Sequence, residues 1–269
     1  MKRERIVIAA IGTDRGGTWT RVAGLDASLR PVKTARFRTR PLRSLPKKLV
    51  PLVSAWPGGA AAPLVVATRG AFSKPWKRAY LQKALSGKLN LRAVISDAEA
   101  AHYAAFAGKR GFLLIAGTGA VVFGGRPGAF TKTGGFNPVS GDPGSGRWLG
   151  RLYLKLRGRL GEARGMGHGR SASYAKKLLL LARSGHSLAA GIAAAAQTEL
   201  AALLKEAADG RGPVRVALAG GLMKDPGFKA GFVKAARLAL KPRAVSFTQA
   251  ALPAEQAAAR LALGLKRKS

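Results

Sequence analysis

The chain has no cysteine. That absence removes disulfides, thiolate-ligated zinc and iron–sulfur clusters together. Carboxylates are almost as scarce: 12 Asp and Glu stand against 47 Lys and Arg in 269 residues, a formal charge of +35. Residues 27–96 contain no acid at all, and neither do residues 163–198. Aromatic residues make up only 7%. With no recognition motif and no single basic arm, that argues against a specific nucleic-acid reader. The three histidines, His102, His168 and His186, do not have metal-ligand spacing. No run approaches the ~18 apolar residues that a membrane span requires. The start Met1-Lys2-Arg3-Glu4-Arg5 mimics a signal peptide, but the apolar stretch 6–11 is short and runs directly into Gly12. The expectation is a soluble, cytoplasmic protein.

What is present is the composition of a globular chain, 47% hydrophobic with 35 glycines. The length allows one large domain or two of roughly 100–150 residues, and the apolar content argues against disorder. Two readings of the charge stay open. One is a polyanion partner, nucleic acid or anionic lipid; the other is a solvated basic surface spread over both halves.

Apolar patterning predicts strands at 6–11, 20–25 and 32–38, a short helix at 49–55, then a strand at 64–67. A helix at 76–85, a strand at 93–95 and a helix at 98–106 follow. After Gly108-Lys109-Arg110-Gly111 the pattern restarts with strands at 112–116 and 120–123 about the turn Gly117-Thr118-Gly119. Helices are expected at 148–156, 172–183 and 188–208, with 189–204 read as a core helix. A strand at 214–219, a helix at 229–240, a strand at 244–247 and a helix at 254–265 complete the chain. Alternating strands and helices argue for α/β layers. A hairpin with a Gly-Thr turn opens each half, at Gly17-Thr18 and Gly117-Thr118, which points to an internal duplication hinged near residue 108.

The scarce acids fall in informative places. Asp14 lies in Thr13-Asp14-Arg15-Gly16-Gly17-Thr18-Trp19-Thr20, Asp97 in Ile95-Ser96-Asp97-Ala98, and Asp142 in Ser140-Gly141-Asp142-Pro143-Gly144-Ser145-Gly146. A carboxylate beside a phosphate loop repels the ligand unless it holds a metal or takes a proton. Glycines at such turns let backbone N–H groups converge on phosphate, and Thr18, Thr20 and Thr118 add hydroxyls. Gly220-Gly221, after the apolar run 214–219, permits close approach of a flat ligand. For Asp97 a second role is open, the N-cap of a helix beginning at Ala98.

These residues resemble a known superfamily. Asp14-x-Gly16-Gly17-Thr18-x-Thr20 is similar to the first phosphate motif of sugar kinases, actin and heat-shock chaperones. Gly117-Thr118-Gly119 is similar to their second phosphate motif, and Ala219-Gly220-Gly221 to their adenosine motif. Gly134-Gly135-Phe136-Asn137-Pro138, through Gly141-Asp142-Pro143-Gly144-Ser145-Gly146-Arg147-Trp148-Leu149-Gly150, resembles the signature of the N-acetylglucosamine kinase and BadF/BcrA-type ATPase family.

The resemblance implies two duplicated ribonuclease H-like α/β domains, 1–108 and 109–269, with an interdomain cleft and a last helix that can pack back on the first half. It implies an ATP-dependent kinase of an amino sugar such as N-acetylglucosamine, glucosamine or a muramic acid-type sugar. Its cofactors are ATP and Mg²⁺, it has no membrane partner, and a homodimer is compatible with it. It assigns Asp97 as the proton acceptor and Asp14 to Mg²⁺. It assigns Gly16, Gly17, Thr18, Thr20, Gly117, Thr118, Gly119, Gly220 and Gly221 to nucleotide, and Gly141 and Asp142 to sugar. A nucleotide-binding module with altered catalysis is the alternative.

The chain also departs from the family pattern. Arg15 and Trp19 replace the usual Gly and Lys, and Pro143 stands in place of Glu. The segment Phe37-Arg38-Thr39-Arg40-Pro41 lacks the Gly-x-x-Asn stretch that contacts an N-acetylated sugar. The activator ATPases of radical enzymes in that family use a cysteine-bound cluster, which a cysteine-free chain cannot hold.

Overall fold

The computed structural model describes residues 7–136 and 141–265. Ile6 of the expected first strand, and Asn137, Pro138 and Ser140 of the long glycine-rich signature, lie outside the described residues. The chain forms two compact units. One runs to Gly108 and takes back the chain from Ala250; the other is 109–249.

In the first unit, β1 (Ala10–Arg15), β2 (Trp19–Leu25) and β3 (Pro31–Arg38) form an antiparallel meander, joined on the other side by β4 (Leu64–Thr68) and β5 (Leu91–Ile95). The order is β3-β2-β1-β4-β5, with β1–β4 and β4–β5 parallel. The first strand therefore starts later than expected and runs through Gly12 to Arg15. Asp14 stands on a strand, and the turn is left to Gly16, Gly17 and Thr18.

Period-two alternation sends Leu64 and Val66 to one face and Val65 and Ala67 to the other, as a doubly covered sheet requires. The first face packs with α1 (Leu45–Ser54) and α2 (Pro75–Leu85) through Leu49, Val53, Leu81 and Leu85. The second face packs with α3 (Asp97–Phe106) and, from the far end of the sequence, α9 (Ala254–Gly264), through Ala100, Ala258 and Ala262. The fourth helix of this unit is alanine-rich because it lies almost on the backbone of β1. A Cβ at Gly12 would stand 2.0 Å from the Glu255 carbonyl oxygen and 2.3 Å from the Ala259 nitrogen.

The second unit repeats the plan. Strands β6 (Gly111–Ala116), β7 (Ala120–Arg126) and β8 (Ala129–Gly134) form the meander, and β9 (Val214–Ala219) and β10 (Val245–Thr248) add parallel neighbours in the order β10-β9-β6-β7-β8. Read from the other edge this is the order of the first sheet, so β8, which no apolar pattern announces, is the counterpart of β3. Around it lie α4 (Gly146–Leu156), α5 (His168–Ser173), α6 (Ala175–Arg183), α7 (Ser187–Ala207) and α8 (Pro226–Ala239).

The helix expected over 172–183 is broken at Tyr174, between α5 and α6. Helix α7, 21 residues with a mean hydropathy of 1.4 over its most apolar window, is long and apolar enough to cross a membrane, contrary to the expectation that no segment is. Its Ala189, Ala193, Ala196, Leu200 and Leu204 are nevertheless buried in the core of this unit with Leu114, Val122 and Phe232.

Overpacking a site with so little space costs about 1–3 kcal/mol or more. Gly12→Ala is therefore expected to lower the urea unfolding midpoint clearly. An unchanged midpoint would show that α9 does not sit on β1 in solution.

Candidate active site

Parallel pairing sets the acids of the first unit. Asp14 on β1 is level with Ala67 on β4, which is level with Ile95 on β5. Asp97 follows Ile95 by two residues, at the same carboxyl ends of the strands where ligands of α/β sheets gather. Glu255, in the first turn of α9, is the third acid of the group, and composition and motif gave no sign of it. Only the return of α9 to this sheet brings it there.

Asp14 is buried, and its carboxyl pKa is pushed up to about 6. Burial is the main cause, followed by the negative charges of Asp97 and Glu255; Arg21, its cross-strand neighbour at 3.6 Å, pulls the other way. A buried carboxylate among acids is a hard oxygen donor in a negative field, and so it suits a cation. Among the described residues no three acids or histidines form a complete metal cage.

Asp97 is not the cap of its helix. Ser96 is: its hydroxyl accepts the Glu99 N–H at 3.1 Å, while the Glu99 carboxylate accepts the Ser96 N–H at 2.6 Å and the Arg78 guanidinium at 2.6 Å. The capping alternative for Asp97 is thereby corrected. Its half-buried carboxylate accepts the neighbouring Ala98 N–H at 3.1 Å. The ammonium of Lys77 lies in its field. Burial and the charges of Lys74, Arg15 and Arg69 lower the Lys77 pKa, and Asp97 offsets part of that.

Of the first glycine-rich motif, Gly17 lies under the Arg69 guanidinium, and the Thr18 carbonyl accepts the Thr39 N–H at 2.9 Å. The Gly16 N–H is spent within the turn, on the Trp19 carbonyl at 3.1 Å. Thr20 is buried, its hydroxyl 3.0 Å from that of Thr39, and it lines a cavity with Arg15 rather than the turn with Thr18. Trp19 is stacked by the guanidinium groups of Arg36 and Arg38, 3.9 and 4.3 Å from its ring.

In the second unit the structure brings Gly117, Thr118 and Gly221 to one cavity of about 630 Å³. Gly146, the first residue of α4, enters it, its N–H on the Gly117 carbonyl at 2.7 Å. The adenosine-type turn requires Gly220: it has φ +96°, and a Cβ there would stand 2.2 Å from the Ala116 carbonyl oxygen. Sequence reasoning missed Lys176, Arg183 and Lys224, which line the cavity with positive charge, and Asp225, which pairs with Arg183 and caps α8. These are ordinary surface residues by pattern, and only the fold brings α6 and the segment before α8 to one cavity.

Gly119 and Asp142 act together beside this cavity. The Asp142 carboxylate, 9% exposed, accepts the Ala120 N–H at 2.9 Å, and a Cβ on Gly119 would lie 2.8 Å from it. Gly141, at φ +88°, turns the chain so that the Asp142 carbonyl accepts the Ser145 N–H at 2.9 Å. In this structure Asp142 braces the Gly117–Gly119 turn against the start of α4.

The raised Asp14 pKa carries a stability consequence. Its folded-state value exceeds the unfolded one near 3.8, so the folded chain binds more protons between pH 4 and 6, and stability falls as pH rises through that window. Asp14→Asn is expected to stabilise the fold at pH 7 by about 1–3 kcal/mol, with the gain vanishing near pH 4. Thermal unfolding at both pH values checks this. A destabilised variant at pH 7 would show that Arg21 outweighs burial.

No protein-family model matches the chain, and no curated protein sequence does. Solved structures match it over nearly its whole length. A candidate N-acetylglucosamine kinase from Chromobacterium violaceum is 21% identical, with a TM-score of 0.69, over 96% of this chain and 99% of the other. A ROK hexokinase from Thermus thermophilus is 18% identical (TM-score 0.64; 95% and 97%). A ROK-family glucokinase from Streptomyces griseus, in complex with glucose and AMPPNP, is 19% identical (TM-score 0.57; 94% and 98%). At these identities the likeness establishes the fold: the two units are those of the sugar kinase and actin-like ATPase architecture.

Proposed function

We propose that the chain is an ATP-dependent sugar kinase. The observation that carries this reading is the division of labour between the units. A cationic cavity large enough for a nucleotide opens between the two glycine turns of the second unit, and acids free of capping duty stand at the strand ends of the first.

Adenosine fits the side of the cavity at Gly221, where even a Cβ would meet open space, and the phosphates fit beside Gly117, Thr118 and Gly146. Lys176 and Lys224 offset their charge. Asp14 is the residue that would hold Mg²⁺. When bound, the ion neutralises charge that builds on the transferring phosphoryl group.

Asp97 accepts the proton of the attacking sugar hydroxyl as its oxygen bonds to the γ-phosphorus and the bond to the ADP oxygen breaks. Positioning and charge neutralisation supply most of the acceleration in such transfers. Asp142 keeps the phosphate turn in shape, and a sugar contact of its own is the further role that the family resemblance implies for it. The finer reading, an enzyme akin to N-acetylglucosamine kinases, rests on the glycine-rich signature around Asp142.

Mg-ATP binding stabilises a fold by mass action, by about 2.7 kcal/mol at a hundredfold excess over Kd. A thermal shift with saturating Mg-ATP is therefore expected, for wild type and for Asp97→Asn alike. Asp97→Asn is expected to cut turnover ~10²-fold or more on the accepted sugar, measured as ADP release. An absent thermal shift would remove the nucleotide reading. Full turnover in the variant would remove Asp97 as the base, and a shift without transfer to any sugar would leave a nucleotide-binding module.

A further inference from the structure

A second cavity, of about 460 Å³, lies within the first unit. Nine residues line it, five of them cationic (Arg15, Arg38, Arg40, Lys47 and Lys48) and none acidic. At the chain's average density, 47 basic residues in 269, nine positions would hold roughly one or two. Like charges gathered in a concave site repel one another unless an anion joins them.

Among the described residues no carboxylate does so. The five ion pairs among the described residues use Arg21, Arg30, Arg78, Arg159 and Arg183, and none of the five cations of the cavity. The second unit's cavity, by contrast, carries its own Asp225. The first turn of α1, which borders the basic cavity, also has no acid and no side-chain cap, because the Ser44 hydroxyl donates instead to the Pro41 carbonyl at 2.8 Å.

Two of the cations are held in place before any ligand arrives. Arg15 donates to the Arg40 carbonyl at 2.7 Å and to the Thr68 hydroxyl at 3.3 Å, and Arg38 stacks on Trp19 at 4.3 Å. Such pre-ordering lowers the entropy cost of binding an anion. The rest of the lining suits a polyol. Thr20, whose hydroxyl lies 3.0 Å from that of Thr39, and the Phe37 ring are both part of it. The volume lies in the range of small-molecule sites. Arg15 directly follows Asp14 on β1, and Arg15 and Asp97 both act on the Lys77 ammonium, so the cavity belongs to the same end of the sheet as the acids.

We infer that this cavity takes a sugar bearing a carboxylate or a phosphate, and that this anionic sugar is the phosphoryl acceptor. The acceptor role rests on the kinase reading above; the ligand class rests on the cavity alone. Arg40, Lys47 and Lys48 bind the anionic group, Arg15 and Arg38 flank it, and Thr20, its hydroxyl held by Thr39, orients a hydroxyl.

The test is calorimetric titration of the full chain in about 0.15 M salt, where long-range attraction is screened. The probes are N-acetylmuramic acid, glucuronic acid and glucose 6-phosphate, set against N-acetylglucosamine, glucose and inorganic phosphate. At least one acidic sugar is expected to bind about tenfold or more tightly than both its neutral counterpart and phosphate, and the tighter class separates carboxylate from phosphate recognition. The exposed triple variant Arg40→Gln/Lys47→Gln/Lys48→Gln is expected to lose that preference while still binding Mg-ATP. A charge-matched control, Lys83→Gln/Lys205→Gln/Lys234→Gln, is expected to keep it. Equal or tighter binding of the neutral sugars or of phosphate alone, or a preference that survives in the triple variant or disappears in the control, would overturn the inference. If an acidic sugar binds but is not phosphorylated with Mg-ATP present, the kinase reading fails and the assignment of the ligand class stands.

Discussion

In each unit everything depends on one strand hydrogen-bonded in two different ways. Strands β1 and β6 pair antiparallel with a hairpin partner on one side and parallel with a crossover strand on the other. Antiparallel pairing permits a tight turn immediately after the strand, whereas parallel pairing demands that the chain travel round through a helix and return. Both connections therefore meet at one end of the central strand. In the first unit that end collects Asp14, Gly16, Gly17 and Asp97; in the second it collects Gly117, Thr118 and Gly220. The doubled use of one backbone ladder is what allows so small a number of residues to gather acids at one strand end and glycine turns at the other unit's strand end.

Electrostatics shapes the rest. A chain with 47 basic and 12 acidic residues repels itself, and several of its acids have an arginine close by: Asp26 with Arg30, Glu99 with Arg78, Glu162 with Arg159, Asp225 with Arg183. Asp14 is the exception in kind. It has Arg21 at 3.6 Å, yet burial and two neighbouring acids leave it with a raised pKa. A carboxylate buried beside two other acids costs the fold stability at neutral pH. The basic cavity is the complementary case, five cations gathered with no acid among its lining residues.

Much of this was legible along the chain. The duplicated hairpins, the alternation of strands and helices, and the glycine turns are local features, written in residues that are neighbours in sequence. Misreadings fell where a local signal was ambiguous. Asp97 and Ser96 are both good caps, and the choice between them was made by Glu99, which closes the reciprocal pair with Ser96. Ala129–Gly134 carries Thr, Lys and Gly with few apolar residues, because one edge strand of a sheet can be half solvated, so β8 gave no apolar pattern. Tyr174 interrupts a run that is helical by propensity on both sides, and no proline or glycine marks the break.

The sequence by itself determined the architecture, since period-two and helical apolar patterns, glycine turns and the repeated hairpin depend only on residues a few positions apart. It also determined which backbone turns can approach phosphate, because that property follows from the missing Cβ. Tertiary structure alone decided which charges meet. It seated Glu255 beside Asp14 by returning α9 to the first sheet, turned Lys176 and Lys224 toward the glycine turns, gave Asp142 the task of bracing one of them, and gathered Arg15, Arg38, Arg40, Lys47 and Lys48 around one cavity. The physical reason is range: backbone preference acts over a few residues, whereas a pKa or a binding site is set by groups within several ångströms in space, however far apart they stand in the chain.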